Sequence, residues 1–144
     1  MVKTNKLVFD RHMKVLMERA QKLLYGGMLT DVILACEGEQ IPAHRVILAA
    51  GSGVLNSMLL AVPPSKKQVI VITSVKACDV RAIVEFMYRG EVQVKVEDIP
   101  RLLSTAQELQ VYGLELQSEP VTVKVEPLDG RELKVVVKKL EDFP

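Results

Sequence analysis

Aromatic residues are scarce in this sequence, and the scarcity limits the function classes open to it. The 144 residues include no tryptophan, three tyrosines and three phenylalanines. Proteins that bind single-stranded nucleic acid stack the bases on exposed aromatic side chains beside basic residues. The formal net charge is only +1, which gives no general attraction to nucleic acid or acidic lipid. We therefore expect no direct nucleic-acid binding by this chain and no membrane partner.

Cysteine, histidine and long apolar runs are also few or absent. The two cysteines, Cys36 and Cys78, match no metal or redox motif, and their apolar neighbours indicate buried free thiols of a reducing compartment. Two histidines are too few for a metal cluster, so we expect no cofactor. The N-terminus lacks the apolar core of a signal peptide, and no apolar run reaches the roughly 20 residues of a membrane helix. These absences predict an intracellular protein.

A catalytic site is not indicated either. His44 stands beside Arg45 with Asp31 and Cys36 upstream, but nucleophilic catalysis needs a nucleophile within hydrogen-bond reach of an oriented base. No serine stands in the Gly-x-Ser-x-Gly pattern of a nucleophile elbow. We interpret His44 as the start of a short helix with local hydrogen bonds, and we expect no enzyme.

The N-terminal part of the chain predicts a strand followed by a helix. The strand covers residues 6–10, and the helix runs from about Arg11 to Tyr25 with Asp10 as its cap and Gly26-Gly27 at its end. Its apolar residues follow helical spacing and form one stripe: Met13, Leu16, Met17, Ala20, Leu23 and Leu24.

The middle of the chain alternates between strand and helix periodicity, which predicts an α+β domain. A strand at 31–36 and a second one starting at Gln40 form a hairpin across Glu37-Gly38. The other predicted elements are a short helix at 43–50, a helix from Ser52 to about Ala61 with Leu55, Met58 and Leu59 inward, a strand at 68–73 buried on both faces, a helix at 78–88, a strand at 91–96 and a helix at 98–111.

The composition changes at about Ser118. Two β-rich runs flank a Pro-Leu-Asp-Gly turn at 127–130, which fits a hairpin. It fits a flexible tail equally well, because an isolated hairpin is marginal in water. We therefore divide the chain into one domain at 1–117 and a β-prone tail or linker at 118–144.

Three blocks, in order along the chain, resemble BTB/POZ domains. They are Thr-Asp-Val-Ile-Leu-Ala-Cys-Glu-Gly-Glu-Gln-Ile-Pro-Ala-His-Arg-Val-Ile-Leu-Ala-Ala at 30–50, Glu-Phe-Met-Tyr-Arg-Gly-Glu-Val at 85–92 and Ala-Gln-Glu-Leu-Gln-Val-Tyr-Gly-Leu at 106–114. The pattern is most similar to the tramtrack and bric-à-brac type of insect transcription regulators. Two positions depart from that group: Lys6-Leu7-Val8-Phe9-Asp10 replaces its Phe-x-Leu-x-Trp-Asn signature, and Leu55 replaces its phenylalanine.

The resemblance implies the BTB/POZ fold, a helical cluster at 30–114 flanked by a small mixed sheet, with a dimerisation strand and helix at 6–25. It implies that two such helices pack across a two-fold axis and that the strand joins the partner's strand near 91–94, so that both strand edges are paired. From the residues alone, the apolar stripe has the alternative of packing onto its own core. The expected interface residues are Leu7, Val8, Phe9, Met13, Leu16, Met17, Leu24, Val92 and Val94.

Asp31 and Arg45 each border a strongly apolar element. An unpaired charge drawn toward the interior is costly, so we expect the two residues to pair directly or to share a pocket. In the BTB/POZ domains that the chain resembles, an acidic and a basic residue at these positions form a charged pocket near the dimer interface.

The resemblance implies a homodimerising interaction domain of a nuclear chromatin or transcription regulator. Such a domain recruits corepressor or chromatin proteins, and the alternatives to its homodimer are a larger multimer or a pair with a related BTB domain. BTB domains of this kind usually precede zinc fingers, and this sequence contains none. The alternative is a substrate adaptor for a cullin-type ubiquitin ligase. Adaptors tend to carry a hydrophobic-x-acidic motif after the third helix, where this chain reads Leu60-Ala61-Val62-Pro63-Pro64-Ser65 without an acid.

One short motif occurs twice, as Val94-Lys95-Val96-Glu97 and Val123-Lys124-Val125-Glu126. Both copies match the hydrophobic-Lys-x-acid pattern of attachment sites for the small ubiquitin-like modifier SUMO, which requires an exposed, extended lysine. We expect Lys95 to lie in a strand of the fold, which makes Lys124 the better candidate for modification. The alternative is a solvated, β-prone tail with a fortuitous match.

Overall fold

The computed structural model describes residues 2–63 and 67–114, together with the backbone of 121–125 and 133–137. The helices within these residues are α1 (His12–Tyr25), α2 (Arg45–Gly51), α3 (Gly53–Leu60), α4 (Ala77–Arg89) and α5 (Ile99–Glu108), with one 3-10 turn at Val96–Asp98. The strands are β1 (Val32–Cys36), β2 (Glu39–Ala43), β3 (Gln68–Val71), β4 (Val121–Val125) and β5 (Leu133–Val137). Helices combined with small sheets confirm the predicted α+β class.

A three-stranded sheet of order β2-β1-β3 forms one side of the domain. β1 and β2 are the predicted hairpin, and Glu37 and Gly38 both have positive φ angles, 49° and 76°. A two-residue turn with two positive φ angles matches the twist of the strands that it joins. β3 runs parallel to β1 in register from Val32 opposite Gln68 to Ala35 opposite Val71.

The prediction that residues 68–73 are a strand buried on both faces is wrong. β3 ends at Val71 and lies at the edge of the sheet, with only Ile70 pointing into the core. Val69 and Val71 are 58% and 67% exposed. A β-branched run predicts a strand, but which of its faces is covered depends on the helices packed against the sheet.

The core has two parts that meet at α4. Buried residues of the sheet pack against α2, α3 and one side of α4, with Leu34, Leu48 and Tyr88 among the most buried side chains. A second cluster fills the space between α4 and α5: Ile83, Leu102, Ala106, Val111 and Leu114. Ser52 caps α3 as predicted, because its Oγ accepts a hydrogen bond from the backbone N–H of Leu55 at 3.1 Å.

A buried ion pair joins α4 to α5. The carboxylate of Asp79 is buried and accepts two hydrogen bonds from Arg101, from Nε at 2.7 Å and from Nη2 at 3.1 Å. This hydrogen-bonded carboxylate raises the pKa of Arg101. The bidentate geometry satisfies both oxygens of a carboxylate that is cut off from water, so the pair holds the two helices in register.

Three local predictions are wrong: the cap of α1, the burial of Met58 and the burial of Cys78. Arg11 rather than Asp10 occupies the cap position of α1 and makes no side-chain cap bond, because a turn from Phe9 to His12 delays the helix start. Met58 is exposed, while Leu55 and Leu59 are buried as predicted. Cys78 is exposed and only Cys36 is buried. The predicted tail contains two paired antiparallel strands, β4 and β5, which fits the hairpin alternative. The predicted boundary at 117 lies outside the described residues.

Candidate functional site

The N-terminal arm, residues 2–9, has no regular secondary structure and every residue in it is exposed. Leu7 is 95% exposed, and its neighbours Val8 and Phe9 are also largely in solvent. The strand predicted at 6–10 is therefore absent in the single chain. A strand exists only where a neighbouring strand shares its hydrogen bonds, and no strand in the described part of this chain pairs with the arm. The apolar side chains at the end of the arm, at residues 7–9, are therefore not buried by any described part of the chain.

Helix α1 divides into two halves with different surroundings. In the C-terminal half, Ala20 and Leu24 pack against the core, mainly next to α4. In the N-terminal half, Met13 and Leu16 are 61% and 51% exposed, and Met17 between the two halves is half-buried. The predicted stripe is thus partly satisfied within the chain and partly left open.

Polar groups fasten α1 and the loop that follows it to α4. Gln21 Nε2 donates to the carbonyl oxygen of Tyr88 at 3.1 Å. The His44 ring lies between two partners, with Nε2 2.8 Å from the carbonyl oxygen of Met28 and Nδ1 2.7 Å from the Tyr88 hydroxyl. Since a carbonyl oxygen can only accept, Nε2 carries the proton and Nδ1 accepts from the hydroxyl of Tyr88.

The prediction of local hydrogen bonds for His44 is therefore wrong, because both ring partners are distant in sequence. The Tyr88 hydroxyl also accepts a hydrogen bond from the backbone N–H of His44 at 2.9 Å. Burial raises the pKa of Tyr88 to about 12, so the hydroxyl keeps its proton at neutral pH and can donate. Together with Gln21, this network holds α1 at a fixed angle and presents its open half to solvent.

Residues 91–95 follow α4 after Gly90, which ends the helix in the left-handed conformation at φ 76°. The segment has no regular secondary structure, so the strand predicted at 91–96 is also absent in the single chain, and its last residue begins the 3-10 turn. Its burial nevertheless alternates. Val92 and Val94 are half-buried, whereas Glu91, Gln93 and Lys95 are exposed. This in-and-out pattern is that of a strand that lacks a neighbour.

Asp31 and Arg45 are joined, but not as an ion pair. Asp31 is exposed, and its Oδ1 accepts a hydrogen bond from the backbone N–H of Arg45 at 2.7 Å, which satisfies the first turn of α2. The Arg45 Nη2 donates to the carbonyl oxygen of Leu59 at 3.0 Å, at the end of α3. Each side chain therefore serves a helix end, the anion at an N-terminus and the cation at a C-terminus. The charged pocket stays a prediction.

The described residues hold little that could support chemistry. Burial raises the pKa of the Cys36 thiol, whose Sγ lies 3.4 Å from the carbonyl oxygen of Val75, so a thiolate is disfavoured there. Residues 2–63 and 67–114 contain no group of three or more His, Cys, Asp or Glu side chains that could hold a metal ion. Their helices are all too short or too polar to cross a bilayer.

The sequence analysis did not predict the hydrogen bonds of Gln21, Met28 and Tyr88 that hold α1 and the loop after it. A usable signal was present, because Gln21 interrupts the inner side of the α1 stripe next to Ala20. A polar residue at such a position requires a hydrogen-bond partner. The identity of that partner depends on the tertiary packing of α1 on α4, which no local pattern encodes.

Comparison with known proteins identifies the family to which this fold belongs. A family model for the BTB/POZ domain matches residues 20–124. Among Drosophila melanogaster proteins, the alpha isoform of protein tramtrack is 33% identical over 75% of this chain and 13% of its own length. The longitudinals lacking protein-like protein is 46% identical over 59% of the chain and 66% of its own length. Transcription activator GAGA is 41% identical over 72% of the chain and 18% of its own length.

The solved BTB domain of zebrafish PATZ1 has the same fold, with a TM-score of 0.69 at 24% identity over 77% of this chain and 91% of that domain. The matches to tramtrack and its Drosophila relatives confirm the resemblance read from residues 30–50, 85–92 and 106–114. This chain belongs to the BTB/POZ domain family, whose members are protein-interaction modules.

Proposed function

We propose that this chain is a homodimerising interaction domain of a nuclear transcription regulator. The observation that carries the proposal is the coexistence, in one chain, of three features: the exposed arm, the open half of α1 and the 91–95 segment, which pairs with no described strand. We call these three together the assembly surface. Each lacks a partner within the described residues, and a second copy of the chain supplies one for each.

The arm and the 91–95 segment complement each other as strands. The arm needs a neighbour to accept its hydrogen bonds, and the 91–95 segment already has the alternating burial of a strand. Pairing the arm of one protomer with the segment of the other satisfies both edges, and two-fold symmetry makes the exchange twice in one closed dimer. Leu7, Val8 and Phe9 would be buried by this exchange.

The open half of α1 would meet its symmetry mate across the same axis. Met13 and Leu16 then face the partner's helix and lose their solvent contact. Burial of apolar surface contributes about 25 cal/mol per Å² removed from water, so this helix pair is the main source of association free energy. Because Gln21 and His44 hold α1 within each chain, little ordering is needed on association.

The transcriptional part of the proposal rests on the relatives, of which transcription activator GAGA is one. The matched region is only a small part of that protein and of tramtrack, so their other activities are not carried over. We propose that the dimer acts in the nucleus by recruiting corepressor or chromatin proteins. A larger multimer and a pair with a related BTB domain are the alternatives to the homodimer. Asp31 and Arg45 would form a charged pocket beside the assembly surface.

Sedimentation equilibrium on the full chain tests the dimer. The wild type should have twice the chain mass of 16.0 kDa. The double variant Met13→Asp/Leu16→Asp should sediment as a monomer with unchanged circular dichroism, because carboxylates cannot be buried in an apolar helix pair. Leu60→Asp is the matched control, since Leu60 is 76% exposed outside the assembly surface. A folded double variant that remains a dimer would contradict the proposal.

The ubiquitin-ligase adaptor is the competing function. The exposed apolar side chains of Leu60 and Val62 after α3 are the observation in its favour. Mixing the chain with the N-terminal domain of a cullin separates the two functions. We expect no co-elution, since the segment at 60–65 lacks an acid. A stable complex that Leu60→Asp abolishes would establish the adaptor instead.

A further inference from the structure

The two Val-Lys-Val-Glu copies have the same letters but different backbones. The first, at 94–97, lies between α4 and α5, and the second, at 123–126, begins within β4. The four-residue pattern by itself does not distinguish the copies, since an enzyme that reads a hydrophobic-Lys-x-acid pattern finds all its elements in each. The fold gives the two copies different backbone conformations.

The fold prevents the first copy from being presented as an extended segment. Its aliphatic anchor, Val94, packs against the cluster between α4 and α5 and cannot enter an enzyme's groove at the same time. Its second half is wound into the 3-10 turn at Val96–Asp98, which the Asp98 N–H closes by donating to the carbonyl oxygen of Lys95 at 2.9 Å. Lys95 is exposed, but the residues on either side of it are not presented in one extended line.

The first three residues of the second copy have an extended backbone instead. Val123, Lys124 and Val125 lie in β4, which is extended and antiparallel to β5. The sheet they form has two strands, so each has one neighbour within the described residues and one open edge. An extended segment with an open edge is the form in which binding partners add main-chain hydrogen bonds along a substrate.

We propose that Lys124 is the acceptor site for a small ubiquitin-like modifier and that Lys95 is not. The deprotonated Nζ of Lys124 attacks the carbonyl carbon of the modifier's C-terminal glycine, which the conjugating enzyme carries as a cysteine thioester. The carbon–sulfur bond breaks, the thiol leaves and an isopeptide bond forms. The attacking nitrogen releases its proton to solvent, and prior ATP-dependent activation of the modifier supplies the thioester.

The proposed site does not depend on the proposed dimer. Lys124 follows the last described core residue, Leu114, by ten positions in sequence and belongs to none of the segments of the assembly surface. Modification would therefore add a recognition module to the domain without using the surface through which we propose it dimerises.

A reconstituted conjugation reaction tests the assignment on the full chain, with the modifier, its activating enzyme and its conjugating enzyme, and no ligase. The wild type should gain one modifier, mapped to Lys124 by peptide mass spectrometry. Lys124→Arg and Glu126→Gln should lose the product, whereas Lys95→Arg and Glu97→Gln should retain it. Because the paired variants change identical motifs, general effects of the substitutions cancel.

Two synthetic peptides, covering residues 92–99 and 121–128, separate sequence from fold. Both should accept the modifier at similar rates, since neither is folded and both carry the pattern. Modification of Lys95 in the intact chain, or a Lys124→Arg chain that is modified as well as the wild type, would overturn the proposal. So would an unmodified wild-type chain in a reaction that modifies both peptides.

Discussion

The core around α4 and the assembly surface are built from the same aliphatic side chains and differ in what covers them. In the core, Leu34 and Leu48 are fully enclosed by the chain itself. At the assembly surface, Leu7 and Leu16 are of the same residue type but stand in solvent. The core therefore stabilises the single chain, whereas the apolar side chains of the assembly surface become buried only in the dimer that we propose. Under that proposal, one region supplies the stability of the chain and the other supplies its assembly.

The largest effect should come from a matched pair of leucine-to-alanine variants, one in the core and one in the arm. Leu48→Ala removes a fully buried side chain from the core, and should lower the free energy of unfolding by about 2–5 kcal/mol. Leu7→Ala should change the unfolding of dilute monomer by less than about 0.5 kcal/mol, since its side chain meets only water there. The same Leu7→Ala should weaken self-association.

Urea denaturation at low and high protein concentration measures both effects. Leu48→Ala should lower the unfolding midpoint at every concentration, whereas Leu7→Ala should lower it only where the wild type is dimeric. An equal loss for the two variants at all concentrations would mean that the arm folds onto its own chain.

A smaller effect should follow from removing one group of the hydrogen-bond network of Gln21, His44 and Tyr88, which links the core to α1. Tyr88→Phe removes the hydroxyl bonded to both the His44 ring and its backbone N–H. Leaving buried polar groups without partners costs about 1–3 kcal/mol, so the free energy of unfolding should fall by that amount. Amide hydrogen exchange should also quicken in α1 more than in α5, because the His44 ring that this hydroxyl orients holds Met28 just after α1, whereas no bond of the network reaches α5.

Tyr112→Phe is the control, because Tyr112 is an exposed tyrosine. Its exchange rates and stability should match those of the wild type. If Tyr88→Phe behaves in the same way, the network does not position α1.

The smallest effect concerns Asp31 and Arg45. The carboxylate bonds to the backbone of Arg45 rather than to its guanidinium, so Arg45→Gln leaves that bond in place. In a double-mutant cycle on the dilute chain, Asp31→Asn and Arg45→Gln should be additive within about 0.5 kcal/mol. The proposed charged pocket lies beside the assembly surface, so the same cycle on the dimer should show a coupling of roughly 0.5–3 kcal/mol. Additivity in the dimer as well would mean that the two residues do not share a pocket.

The sequence predicted the elements whose cause is local. The β1–β2 hairpin follows from Glu37-Gly38 between two alternating runs, and the start of α3 follows from the capping side chain of Ser52. The BTB/POZ fold itself was recognisable because three blocks of residues stand in order over 30–114.

The failures have a common physical origin in contacts that are not local. The strands predicted at 6–10 and 91–96 have the right residues, but a strand requires a neighbour, and the single chain supplies none within its described part. The exposure of Val69 and Val71 depends on which face of β3 the helices cover. The partners of His44 lie 16 and 44 residues away, beyond any sequence period.

The central claim, that the arm pairs with the 91–95 segment of a second chain, is tested most directly by intermolecular disulfide formation. Two chains in a Cys78→Ser background are mixed, one carrying Val8→Cys and the other Gln93→Cys, and they are oxidised gently. Cys36 stays in place because it is buried. Strand exchange predicts a covalent heterodimer that joins position 8 of one chain to position 93 of the other and forms faster than either homodimer. A third chain in the same background carries both substitutions. If this chain closes an internal disulfide while the mixture of the other two stays monomeric, the arm pairs within its own chain and the account of the assembly surface fails.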